Sequence, residues 1–201
     1  MKIQQYLLVL LEVLFPYMLN ADVTEDIHFS HIGLEEGLSH STIFAINQDK
    51  GGNLWFATYD GVNKYDGYNF IVYRHQYTNP KSIASDISRC ITMDDSDRIW
   101  IGTREGLSLY NHYKDEFSNY YYKRNGLNVA VTSIIPIKKD WLMLGTAEGI
   151  LLFDVKKECF LSDTLSSSLH GLQPAALVRQ GDCIYIRSEE HTSELQSRRS
   201  I

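Results

Sequence analysis

The chain has 201 residues, 44% hydrophobic and 22% charged, which fits one folded domain and excludes a disordered polypeptide. Its formal net charge of −6 excludes the broad positive footprint of a nucleic-acid-binding protein. Thirteen Tyr, eight Phe and three Trp favour strands, because aromatic side chains pack well on pleated surfaces. Cys90, Cys159 and Cys183 are odd in number and lack CxxC spacing, so they predict buried or free thiols rather than a zinc framework.

In chain order, residues 1–21 read as a signal peptide. Lys2 supplies the positive start, Tyr6 to Leu19 the apolar run, and Ala21 before Asp22 the cleavage point. An uncleaved membrane anchor is the alternative, and either one exports the rest of the chain. Residues 22–36 form a lead-in segment. Residues 37–186 then repeat themselves. Trp55 to Asp66 (WFATYDGVNKYD), Trp100 to Asn111 (WIGTREGLSLYN) and Met143 to Asp154 (MLGTAEGILLFD) align without gaps. Thr58, Thr103 and Thr146 coincide, as do Gly61, Gly106 and Gly149, each preceded by an acid. Tyr65, Tyr110 and Phe153 share an aromatic position. Upstream, Ile43 to Asp49 matches Ser88 to Asp94 and Val131 to Ile137. A fourth copy begins at Gln173 and places Tyr185 at the Trp position.

Each copy reads as four short strands, in the second roughly Arg89–Met93, Arg98–Gly102, Leu107–Tyr110 and Glu116–Tyr121. Repeats of about 40 to 45 residues with four strands each are the signature of β-propeller blades. The expected fold is therefore all-β: four-stranded antiparallel blades at 37–82, 83–126 and 127–168, a truncated one at 169–186, about three and a half in total. Glycine after the acid suits a turn with positive φ. Ala57, Gly102 and Gly145 are expected to let neighbouring blades approach, and Trp55 and Trp100 to anchor one blade on the next. Residues 187–201 break the pattern. Arg187 to Ser197 (RSEEHTSELQS) back-translates to DNA like a sequencing-library adapter, so this tail is read as adapter-derived.

The pattern Asn53-Leu54-Trp55-Phe56-Ala57-Thr58, Gly61, Tyr65-Asp66 and its second copy, Arg98-Ile99-Trp100-Ile101-Gly102-Thr103, Gly106, Tyr110-Asn111, resemble the two-component regulator propeller repeat. Phe29-Ser30-His31-Ile32 and Gly37-Leu38-Ser39 look like the lead into such a propeller. The resemblance implies the periplasmic sensor region of an inner-membrane hybrid two-component regulator that detects glycan fragments. The implied partners are an oligosaccharide ligand, the kinase-bearing remainder of the sensor chain and a second copy in a homodimer. A secreted propeller lyase or glycosidase, and a plain interaction scaffold, are the rival readings.

No catalytic, cofactor or metal residue is assigned, no cofactor is expected, and the ligand-binding residues are left unknown. His28 and His31 lack a third zinc ligand. Asp94, Asp95 and Asp97 cluster in a turn whose carboxylates could serve calcium, but the first copy offers only Asp49 and Asn53 there and the third Lys138, Lys139 and Asp140, so a solvated turn is the expectation. Tyr120, Tyr121 and Tyr122 invite sugar stacking, yet strand alternation puts Tyr120 and Tyr122 on one face and Tyr121 on the other, and edge packing is the expectation.

Overall fold

A computed structural model describes residues 29–138, 140–161, 174–181 and 183–188. The signal-peptide segment, His28 and residues 189–201 lie outside the described residues. The chain divides into Met1–His31 and Ile32–Ile201. Of the first unit only 29–31 are described, without regular structure; the sheets all belong to the second. Among the described residues there is no helix, and hence none long and apolar enough to cross a membrane.

Three four-stranded antiparallel sheets succeed one another as simple meanders. The first is β1 (Ile43–Gln48), β2 (Leu54–Thr58), β3 (Val62–Tyr65) and β4 (Phe70–Tyr73). The second is β5 (Ser88–Met93), β6 (Ile99–Thr103), β7 (Gly106–Asn111) and β8 (Glu116–Tyr120). A short ribbon, β9 (Lys123–Arg124) with β10 (Leu127–Asn128), leads to the third: β11 (Val131–Lys138), β12 (Trp141–Thr146), β13 (Gly149–Asp154) and β14 (Cys159–Leu161). A pair, β15 (Pro174–Gln180) and β16 (Cys183–Ser188), closes the described chain. The first strands of successive sheets lie side by side, β1 on β5, β5 on β11 and β11 on β15, as in a propeller. The predicted strands of the second copy agree with β5 to β8 to within about a residue, the normal uncertainty of strand ends. Register confirms the alignment: Trp55, Trp100, Met143 and Tyr185 pair with Asn47, Thr92, Ile135 and Val178.

The cores lie between blades. Trp55, Ala57 and Val62 of the first blade pack with Ile91, Ile99, Ile101 and Tyr110 of the second. Trp100 and Leu107 pack with Val131, Leu142, Leu144 and Phe153 of the third. The Trp55 ring meets Tyr110 edge-on at 4.8 Å, and Trp100 meets Phe153 at 5.7 Å, geometries favoured by the ring quadrupole. The expected anchoring role holds. So does the role of the small residues: a Cβ on Gly102 would stand 2.8 Å from the Val131 carbonyl oxygen of the next blade.

The repeated Thr–acid–Gly is one device built three times. The buried Thr58, Thr103 and Thr146 hydroxyls donate to the Gly61, Gly106 and Gly149 carbonyls at 2.9, 3.0 and 2.7 Å. Each hydroxyl also accepts the backbone N–H of the acid, closing the β2–β3, β6–β7 and β12–β13 turns. All three glycines have positive φ.

The hairpins between first and second strands correct one expectation. Asp94 is buried, not solvated. Its carboxylate accepts the Ser96 and Arg98 backbone N–H groups, the Arg98 guanidinium and, at 2.8 Å, the Trp100 indole N–H. Asp49 serves Asn53 and Trp55 in the same way, at 2.9 Å to the indole. Burial would raise the Asp49 carboxyl, but these hydrogen bonds outweigh it and hold it below the usual carboxylate range. The third blade has Ile137 and Met143 at these positions, so acid and indole disappear together. The left-handed residue of the first turn is Gly52 and that of the second Asp97.

A second inter-blade tie involves Asp115. The Tyr73 hydroxyl of β4 and the Tyr110 hydroxyl of β7 both donate to Asp115 Oδ1, at 2.6 and 2.7 Å. At the next junction Tyr120 donates to Glu158 at 3.2 Å. Asp115 and Glu158 are both left-handed turn residues, at φ 55° and 53°. The hydrogen bond from Tyr73, then that from Tyr110, hold the Asp115 carboxyl below its ordinary value. A depressed folded pKa adds stability above the unfolded pKa of about 3.9 and loses it as pH falls through the folded value. Asp115→Asn is therefore expected to be less stable than the parent at neutral pH. It should also lose less stability between about pH 5 and about pH 2 in urea titrations. Parallel pH profiles for the two proteins would contradict this tie.

Candidate ligand-binding face

In an antiparallel meander alternate turns lie at opposite ends. One end of every blade carries the first and third hairpins. The other carries the Thr–acid–Gly turn and the connection to the next blade. Residues 74–87 make the first such connection. Arg74 grips Asp60 of the β2–β3 turn through two bonds, at 3.1 and 2.9 Å. That hydrogen-bonded guanidinium outweighs burial and holds the Asp60 carboxyl down. The backbone N–H of Gly61 donates to the Asp86 carbonyl, and that of Arg104 to Ile87, which moors the connection to the turns of both blades.

A cleft of ≈ 470 Å³ opens on this end beside the second blade. Its walls are the 74–87 connection, the β6–β7 turn and the start of the connection after β8. His75 Nδ1 lies 2.8 Å from the Ile83 carbonyl oxygen, which can only accept, so Nδ1 carries a proton. The His75 backbone N–H donates to Asp86 Oδ1, and the imidazole meets the Tyr77 ring edge-on at 4.9 Å. Asn128 donates to Glu105 Oε2 at 3.0 Å. Its own Oδ1 is enclosed without a donor. The Arg104 guanidinium has no ion-pair partner among the described residues. Tyr121 is 45% exposed. Burial, and then the Glu105 charge, raise its phenol above its ordinary pKa, so the hydroxyl stays protonated and able to donate.

The cleft thus offers acceptors on Asp86 and Glu105, donors on Arg104 and two tyrosines, the His75 imidazole, and two aromatic faces. That mixture suits a polyhydroxylated ligand, each hydroxyl of which both donates and accepts.

The tyrosine triplet divides as alternation requires. Tyr120 packs on Trp100 and Phe153, and Tyr122 on Phe160, while Tyr121 lines the cleft. Tyr113 is exposed on the β7–β8 turn. His75, Asp86, Arg104 and Asn128 escaped the sequence reading. The signal that could have found them is divergence between the copies: after the constant threonine stand Tyr59, Arg104 and Ala147 in turn. Among the described residues no group of three or more metal-binding side chains gathers, and the three cysteines are free.

Residues 37–60 match the model of the two component regulator propeller family. Over 49 residues the chain is 47% identical to histidine kinase P4 of Formosa agariphila, spanning 24% of this chain and 4% of that protein. The fold superposes on the extracellular domain of a hybrid two component system of B. thetaiotaomicron with a TM-score of 0.67 and 31% identity. That match covers 78% of this chain and 23% of the other. Streptogramin B lyase is similar in fold alone, with a TM-score of 0.57 at 11% identity over 77% of this chain and 50% of the lyase. The chain therefore spans a small part of its sensor relatives.

Proposed function

We propose that this chain, which is built from two-component regulator propeller repeats, is the exported sensing region of a hybrid two-component regulator. It binds glycan fragments on the face that carries the cleft, and a kinase elsewhere in the full protein receives the signal. The observation that carries this reading is the 31% identity, over 78% of the chain, to an extracellular domain of a hybrid two component system. The mixed donors, acceptors and rings of the cleft support a saccharide as ligand and binding rather than catalysis as its role. Export by the N-terminal segment, a membrane anchor in the full protein and dimerisation belong to the same proposal. Binding can bias such a sensor only through unequal affinity for its two states.

Calorimetric titration of the chain with a panel of neutral and acidic oligosaccharides tests it. At least one should bind, and Tyr121→Ala should weaken that binding about tenfold, the loss of one stacked and hydrogen-bonded ring. A panel with no binder sinks the reading. Binding indifferent to Tyr121 moves the site elsewhere.

A further inference from the structure

The first strand of every blade starts with the same irregularity. Register shifts between Ile43 and Ala45, Ser88 and Cys90, Val131 and Ser133, and Pro174 and Ala176, each skipping one residue in the pattern of a β-bulge. The skipped residues in the first three blades are Phe44, Arg89 and Thr132. They lie at the end of the blade that carries the cleft, where a bulge re-aims a side chain.

Phe44 is 37% exposed and Tyr59, in the neighbouring turn, 50%. Their ring centroids are 6.5 Å apart, and His40 lies 5.6 Å from Tyr59. The Arg89 guanidinium sits over the Phe44 ring at 4.7 Å. It has no hydrogen-bond or ion-pair partner among the described residues. Asp60, the acid of the same turn, is already neutralised by Arg74 at 2.9 Å. The result is an exposed pair of rings with an uncompensated cation resting on Phe44, beside the half-exposed Tyr59.

The repeat supplies an internal control for whether this exposure is a property of the face. Ile46 is 58% exposed, but its counterparts Ile91 and Ile134 are each 8% exposed, because a preceding blade covers them. Ile46 therefore belongs to a blade-to-blade surface. Phe44 and Tyr59 behave otherwise. Arg89, the second-blade counterpart of Phe44, and Arg104 and Ala147, the counterparts of Tyr59, stay exposed although their blades do have a preceding neighbour; Thr132, the third-blade counterpart of Phe44, is half-buried and donates to the Pro174 carbonyl. A preceding blade thus leaves the Tyr59 position open in both later copies and the Phe44 position open in the second.

We propose that Phe44, Tyr59 and Arg89 form a second subsite, which takes a sugar ring bearing an anionic substituent, a carboxylate or a sulfate ester. The inference rests on the glycan-sensing reading above and names the charge of the ligand. The apolar face of the sugar lies on the exposed aromatic rings. The planar guanidinium, seated over Phe44, presents paired N–H donors to the anion, and such a fork matches carboxylate and sulfate oxygens.

The test titrates the chain with trigalacturonate, which carries carboxylates alone, with a sulfated galactose trisaccharide, which carries sulfates alone, and with a neutral trisaccharide. The variants are Phe44→Ala, Arg89→Gln and Tyr121→Ala. Phe44 and Arg89 are surface residues, so unchanged melting curves are expected. At least one anionic saccharide should bind at least tenfold more tightly than the neutral one, and Arg89→Gln should abolish that preference. Phe44→Ala should weaken all binding at this subsite about tenfold. Which anionic sugar binds identifies the substituent. Equal affinity for neutral and anionic sugars overturns the inference and leaves the sensing reading intact. So does binding that depends on Tyr121 and ignores Phe44 and Arg89. Absence of binding by every saccharide overturns both.

Discussion

Gly106→Ala is expected to destabilise the protein by about 3 kcal/mol and to lower its melting temperature by roughly 10 °C. Two independent effects combine. Gly106 has φ +148°, a region that L side chains rarely adopt. A Cβ there would also stand 2.5 Å from the carbonyl oxygen of Tyr120, on the paired strand β8. That oxygen belongs to the ladder and cannot swing aside, so β8 would have to move, with Tyr120 seated on Trp100 and Phe153 of the core between the second and third blades. Gly67 separates the two effects. It has φ +98° and nothing within 4 Å of a Cβ, so Gly67→Ala carries backbone strain alone and should cost about 1 kcal/mol. Equal losses in thermal unfolding of the two variants would show that close approach of the strands contributes nothing.

Asp94→Ala is expected to cost about 3 to 4 kcal/mol, more than most single substitutions. The carboxylate accepts two backbone N–H groups, a guanidinium and the indole of fully buried Trp100. Removing it strands the buried indole donor and deletes the ion pair with Arg98. The third blade suggests the rescue. There Ile137 and Met143 stand in place of acid and indole and pack together in the next core. Asp94→Ile combined with Trp100→Met should therefore cost less than the sum of the single changes, by about 1 kcal/mol or more in a double-mutant cycle. Strict additivity in urea denaturation would mean that the hydrogen bond is incidental.

Constant positions were the legible part of this sequence. The Thr–acid–Gly triplet forced one turn geometry three times, because local chemistry alone specified it, and the constant Trp met the constant Tyr or Phe of the next blade edge-on. The Asp94 bond to Trp100 was visible as a correlated loss, Asp with Trp twice and Ile with Met once. Reading it as contact needs the hairpin register, which brings residues six apart in sequence face to face. Hence Asp94 looked like a solvated turn acid when it is a buried acceptor. The cleft was less legible still. His75, Asp86, Arg104 and Asn128 come from separate connections and turns, share no spacing and obey no period. What joins them is the arrangement of blades, so only their failure to repeat marked them.

The placement of the cores between blades has a thermodynamic consequence. A blade without its neighbour has almost nothing to bury, so the smallest cooperative element is a junction, not a sheet. Stability then obeys nearest-neighbour statistics along the array, each junction adding a coupling free energy to weak intrinsic terms. Hydrogen exchange should record this as a gradient, slowest in β6, β7, β12 and β13, whose blades have a core on either side, and faster toward β1 and β16. A ligand spanning a junction would raise that one coupling term, and its influence would fade with each junction crossed.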